Sequence, residues 1–106
     1  MNKTAVLLIA ALGLCVSAAQ AAEGRPRIAE KKISMCIGCH GIAGYRTVFP
    51  ETYSVPKLGG QHAAYIAAAL KEYQTGERDS TTMHSIAAGL SDQDIADVAA
   101  YYSNGK

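Results

Sequence analysis

Two thiols and an imidazole fall within five consecutive residues, Cys36-Ile37-Gly38-Cys39-His40, and each chemistry open to such a group demands a different surrounding fold. A redox dithiol of the thioredoxin kind needs a strand leading into the motif within a βαβ unit. A structural zinc site needs four ligands, and the further candidates His62 and His84 stand at no paired spacing with the motif. Covalent attachment of haem asks less of the sequence: the two thiols add to the porphyrin vinyl groups, and the adjacent His40 offers its imidazole to the iron. The residues before the motif, Ile28 to Met35, read as helix and no β-rich run follows, so haem attachment is favoured over the dithiol and zinc alternatives.

The apolar inventory points the same way. Hydrophobic residues make up 49% of the chain, but Phe occurs once and Trp not at all. Side chains large enough to fill a core are scarce, and the apolar faces of a porphyrin would supply what is missing. With 106 residues the chain has room for one small domain. Lys+Arg 10 against Asp+Glu 9 leave a net charge of +1. No basic stripe exists to grip a phosphate backbone, which argues against nucleic acid as a partner.

The first segment is set aside before the fold is considered. Lys3 precedes an apolar run from Ala5 to Val16, and Ala19-Gln20-Ala21 is a small-x-small cleavage pattern. These are the parts of a secretory signal peptide, predicted to span residues 1–21. The run is too short for a membrane span, which needs about 20 apolar residues. Cys15 follows the large Leu14, where a lipoprotein signal wants a small residue, so lipid anchoring is not expected. Cleavage leaves residues 22–106 as the mature domain, exported and without stable membrane insertion. Only Cys36 and Cys39 of the three cysteines survive it.

A haem protein's task turns on the second axial position, since an open site binds gases or peroxide and a filled one favours electron transfer. Met35 is tied to the attachment edge beside Cys36 and reads as a packing residue. Met83 lies in the polar stretch Asp79-Ser80-Thr81-Thr82-Met83-His84, which reads as a loop able to bring a thioether to iron. An ordinary core methionine is the plain alternative for Met83, and His84 is the rival ligand. His62 reads as a solvent-facing or first-turn residue. His40 and Met83 are therefore the expected axial pair.

Apolar periodicity beyond the motif is helical. Tyr65, Ile66, Ala69, Leu70 and Tyr73 form one face of a helix predicted from about Gln61 to Thr75, which Gly76 ends. Ser91 is placed as an N-cap with Asp94 three residues later, Leu90 and Ile95 are spaced as a hydrophobic staple, and Ile95, Val98, Ala99 and Tyr102 make a buried stripe. A shorter helix before Cys36 starts near Pro26, with Ile28, Ala29 and Ile33 turned inward. Gly41 to Gly60, rich in Gly and Pro, reads mostly as loop. The expectation is an all-α domain of three to four short helices, with long loops wrapped around one covalently attached haem.

The mature chain resembles the class I c-type cytochromes, of the small monohaem bacterial periplasmic kind. The resemblance rests on Cys36-Ile37-Gly38-Cys39-His40-Gly41, on Pro56-Lys57-Leu58-Gly59-Gly60-Gln61, on Tyr65-Ile66 with Leu70, and on Gly76-Glu77-Arg78. It continues through Met83 to Leu90-Ser91-Asp92-Gln93-Asp94-Ile95-Ala96-Asp97 and Tyr101-Tyr102. It implies that the N- and C-terminal helices cross near the attachment site, and that the Pro56 carbonyl accepts a hydrogen bond from the proximal imidazole of His40. Two departures stand out. Tyr45 to Pro50 lengthens the loop after the motif, and the helix before Cys36 lacks the glycine and aromatic that often mediate the crossing. Arg46, in that loop, is either a partner for a haem propionate or a solvated arginine.

The function expected from these features is that of a soluble periplasmic one-electron carrier. Its haem c would cycle between Fe(III) and Fe(II), with a dehydrogenase, reductase or terminal oxidase as partner. No catalytic residue is assigned. The rivals are a haem sensor or peroxidase with an open sixth site, and a dedicated electron-transfer subunit of one enzyme.

Overall fold

The computed structural model describes residues 21–106. The expected export signal, with Lys3 and Cys15, lies outside the described residues except for Ala21. Five helices are present among them: α1 (Pro26–Ala29), α2 (Ser34–His40), α3 (Ala63–Thr75), α4 (Thr81–Ala88) and α5 (Asp92–Ser103). Between α2 and α3 a small antiparallel ladder joins β1 (Arg46–Thr47) to β2 (Tyr53–Ser54), with Arg46 opposite Ser54 and Thr47 opposite Tyr53. No helix among the described residues is long and apolar enough to cross a membrane.

The last helix forms for local reasons. Ser91 caps α5, its side chain accepting from the Asp94 amide, while the Asp94 carboxylate accepts from the Ser91 amide at 2.9 Å. The two bonds satisfy amides that a helix start leaves free. Ile95, Val98, Ala99 and Tyr102 are all buried, and Leu90 packs on the same cluster. Helix α3 starts at Ala63 because His62 keeps an extended backbone as its N-cap, and Gly76 ends it at φ 83°, a left-handed conformation that suits glycine. Its buried residues are Ile66 and Leu70.

The N-terminal helix is interrupted. Pro26 starts α1, but the helix lasts one turn before a turn through Glu30–Ile33 leads into α2. The break aims Ala29 and Ile33 into the core and leaves Ile28 42% exposed, contrary to the expected inward position of Ile28. The missing crossing glycine is supplied from just before the helix. Gly24 passes so close to α5 that a Cβ there would lie 2.3 Å from the Ala96 carbonyl oxygen.

A second device holds this crossing. The Asp97 carboxylate of α5 is fully buried, yet it accepts from the Arg25 amide at 2.8 Å, from the Arg25 guanidinium at 3.1 and 3.0 Å, from Gln93 at 2.8 Å and from Lys32 at 3.2 Å. The Arg25 bonds hold this carboxyl well below the usual carboxylate range. Lys32 also pairs with Asp94. The chain entering α1 is thus clasped to α5 by charge as well as by close packing.

Candidate functional site

Helix α2 is built from the motif itself. Cys36, Cys39 and His40 stand at i, i+3 and i+4, so all three occupy one face of the helix, while Ile37 and Gly38 face outward and are exposed. Both thiols are free and half-buried. Burial pushes the Cys36 thiol above its ordinary range, and the polarity of the nearby Tyr102 hydroxyl partly offsets this.

His40 Nδ1 lies 2.6 Å from the Pro56 carbonyl oxygen. A carbonyl only accepts, so Nδ1 carries the proton and donates, which leaves the Nε2 lone pair free for a metal. The residue that receives this bond is the one implied by the resemblance, and its loop crosses beneath α2 at this point.

The motif face opens onto a crevice of two lobes, and Cys36, Pro56, Tyr73, Met83 and Ile86 line both. His40 and Cys39 border the first lobe, and Ile66, Leu70, Leu90 and Val98 give the second an apolar wall. Haem makes four demands on a protein: two thiols at one edge, an imidazole for the iron, a soft donor bordering the same space, and apolar walls. The residues present meet all four. Among the described residues no three His, Cys, Asp or Glu side chains gather as a metal cluster, and no βαβ unit surrounds the thiols, so the zinc and dithiol alternatives lack their structural requirements.

Met83 is on the crevice wall, but not in a loop. It lies in the first turn of α4, where the Ser80 hydroxyl accepts the Met83 amide at 3.3 Å and caps the helix. The polar run Ser80-Thr81-Thr82 is thus a helix start rather than loop, because a capping serine and a polar first turn look the same as loop composition. His84, one residue on, is exposed and outside the crevice lining; its Nδ1 donates to the Tyr73 carbonyl at 2.7 Å. His62 is exposed at the α3 cap. Met35, expected as a packing residue, is 64% exposed at the crevice rim.

Arg46 is exposed on β1 and lies outside both lobes. The basic residues that do reach the wall are Lys57 and Arg78, neither identified from the sequence as a site residue. Arg78 donates to the Tyr65 hydroxyl at 3.1 Å and to Glu72 at 3.2 Å, and its guanidinium lies 5.6 and 5.4 Å from the Tyr65 and Tyr73 ring centroids. A fixed positive charge held between two rings is a common use of the planar guanidinium. Tyr65 and Tyr73 share the predicted face of α3, but Arg78 lies beyond Gly76, where the helix ends, so no helical periodicity links it to them.

A family model for cytochrome c matches residues 27–106. The chain belongs to the cytochrome c family. It is 44% identical over 78 residues to cytochrome c-554(548) of Halomonas halodenitrificans, an alignment covering 71% of this chain and 89% of that one. It is 37% identical over 106 residues to cytochrome c4 of Pseudomonas aeruginosa, covering 100% of this chain and 50% of that one. The solved cytochrome c4 of Acidithiobacillus ferrooxidans superposes with a TM-score of 0.63 at 25% identity, covering 81% of this chain and 52% of that one. The chain spans about half the length of these cytochromes c4. The fold is the cytochrome c fold, and this cytochrome carries covalently bound haem c. It is an electron-transfer haem protein rather than an enzyme.

Proposed function

We propose that this cytochrome is a soluble periplasmic one-electron carrier, matured by removal of residues 1–21, whose haem is held by thioethers to Cys36 and Cys39 and ligated by His40 and Met83. When bound, the haem supplies the Fe(III)/Fe(II) couple. His40 gives its Nε2 while the Pro56 carbonyl, accepting from Nδ1, fixes the ring's rotation and increases its donor strength. Met83 contributes a neutral, soft sulfur that favours the reduced state over what a second imidazole would give. The apolar wall formed by Ile66, Leu70, Ile86 and Val98 excludes water from the crevice. Exposed Ile37 and Gly38 mark the outer side of the attachment edge, where a dehydrogenase, reductase or terminal oxidase would approach. Fast exchange suits a small, weak interface, and with Lys3 removed the balance of basic and acidic residues is even and provides little long-range steering.

The observation carrying this reading is that α2 and α4 bring His40 and Met83 to one lobe of a single crevice. A redox-titrated visible spectrum of the haem-loaded protein tests it. Met83→Ala is expected to remove the weak absorption at the red end of the oxidised spectrum that reports sulfur ligation, and to let carbon monoxide bind rapidly to the reduced protein. Retention of that absorption in Met83→Ala, or rapid and complete carbon monoxide binding by the unaltered protein at neutral pH, refutes the assignment.

A further inference from the structure

Tyr102 occupies the penultimate position of α5 and is 4% exposed. Its ring has ample reason to be there: it packs edge-on against Tyr101 at a centroid distance of 5.1 Å and belongs to the core cluster, while its backbone carbonyl accepts from the Gly60 amide at 2.9 Å. None of these contacts uses the hydroxyl, and phenylalanine would make them equally well. Among the described residues the Tyr102 oxygen is the buried side-chain polar atom without a hydrogen-bond partner. Such an atom in a folded core calls for a physical account, because an unmet buried donor is costly.

The group that acts on the hydroxyl is the sulfur of Cys36, which packs against the core cluster that contains Tyr102. Burial, with the Cys36 sulfur as second cause, pushes the Tyr102 hydroxyl up to about 12, so it remains a neutral donor through the working pH range. Cys36 lies between the two features: it lines both lobes of the crevice on one side and packs on the core cluster on the other. A free thiol has its own hydrogen and can turn it toward or away from the hydroxyl. A thioether has none and can only accept.

We propose that the Tyr102 hydroxyl donates a hydrogen bond to the Cys36 sulfur once that sulfur is a haem thioether, making Tyr102 a positioning residue that orients this attachment point and raises the reduction potential. Attachment fixes the sulfur in place and leaves it acceptor-only, so the orphaned donor gains its partner in the haem-loaded protein. Electron density drawn toward the hydrogen bond is withdrawn from the porphyrin edge, and the more electron-rich reduced state is favoured.

The proposal rests on thioether attachment at Cys36, and its test separates the two. Tyr102→Phe is compared with the unaltered chain, both haem-loaded, by haem stain on a denaturing gel, redox titration, the resonance Raman C–S stretching band, and chemical unfolding. Both chains are expected to keep covalent haem and the red-end absorption of sulfur ligation, readouts that belong to the functional reading alone. Tyr102→Phe is expected to lower the equilibrium constant for reduction about threefold, or about 30 mV at 59 mV per tenfold for one electron, to shift the C–S band, and to lower the unfolding midpoint. An unchanged potential and C–S band, with an unfolding midpoint equal to or above that of the unaltered chain, is the behaviour of a hydroxyl that stays orphaned and overturns the proposal.

Discussion

Gly24 is the tightest point of the helix crossing, and adding one methyl there tests how the N-terminal segment is held. A Cβ would lie 2.3 Å from the Ala96 carbonyl oxygen and 2.6 Å from the Ala100 Cβ. Both atoms belong to a hydrogen-bonded helix and cannot retreat, so the segment before α1 must shift outward by roughly 1 Å, an overpacking that costs ~1–3 kcal/mol. The shift also pulls on the next residue, Arg25, whose amide and guanidinium bind the buried Asp97. Working against this, alanine narrows the unfolded ensemble by about 0.4–1 kcal/mol relative to glycine. The net expectation for Gly24→Ala is a loss of about 1.3 kcal/mol, or roughly 5–10 °C in Tm for a domain of this size. Urea and thermal unfolding of the haem-loaded protein, followed by far-ultraviolet circular dichroism, provide the measurement. The visible spectrum should be unchanged, because Gly24 does not border the crevice. Combined with Asp97→Asn, the loss should be less than additive, since both changes release the same segment. Stability within 0.5 kcal/mol of the unaltered chain would mean that the segment does not dock on α5 as described.

Two further outcomes follow from α5. Ser91→Ala removes the cap and is expected to lower stability by about 1 kcal/mol in denaturant unfolding, with Ser91→Gly recovering most of it. Acid should act on the same helix: the Lys32 ammonium, then the Ser91 amide and hydroxyl, push the Asp94 carboxyl down to about 2, and Asp97 is lowered further by Arg25. Carboxyls whose pKa falls on folding contribute fully above the unfolded value near 3.8 and lose that contribution as protons bind below it. Unfolding midpoints of the haem-loaded protein should therefore drop between about pH 4 and pH 2, and Asp94→Asn should flatten that slope. A flat profile for the unaltered chain in that window would contradict the pairing.

The parts of the fold that were legible in the sequence are those whose causes are local. Helix α5 carries its cap, its staple and its buried stripe within Leu90 to Tyr102, and each was found where the pattern placed it. Helix α3 differed only at its first turn, where His62 serves as cap. The start of α4, within Asp79 to His84, reads as loop because Ser80-Thr81-Thr82 has the composition of either, and tertiary contact decides between them: Ile86 and Ala87 turn inward, and Gln74 of α3 donates to the Ala87 and Leu90 carbonyls at 2.8 Å. Asp97 was invisible for a different reason. It lies off the apolar stripe of α5, and its partners Arg25 and Lys32 stand 72 and 65 residues away in the chain, a pairing no local window contains.

The same distinction explains why the site was more legible than the scaffold that supports it. Cys36, Cys39 and His40 share a helix face through spacing alone, so their chemistry is encoded in five residues. The scaffold depends on what fills the centre. The chain's one phenylalanine, Phe49, is 86% exposed, and the core consists of Ile, Leu, Val, Ala and Tyr102. Ile66, Leu70 and Val98 belong to that core and also to the wall of the crevice. Packing of the chain and packing on the porphyrin therefore use the same side chains, and a ligand bound to the folded state alone adds its binding free energy to stability. The scarcity of large side chains and the attachment motif are two aspects of one design, in which the apolar faces of the haem take the place that Phe and Trp leave empty and the thioethers keep them there.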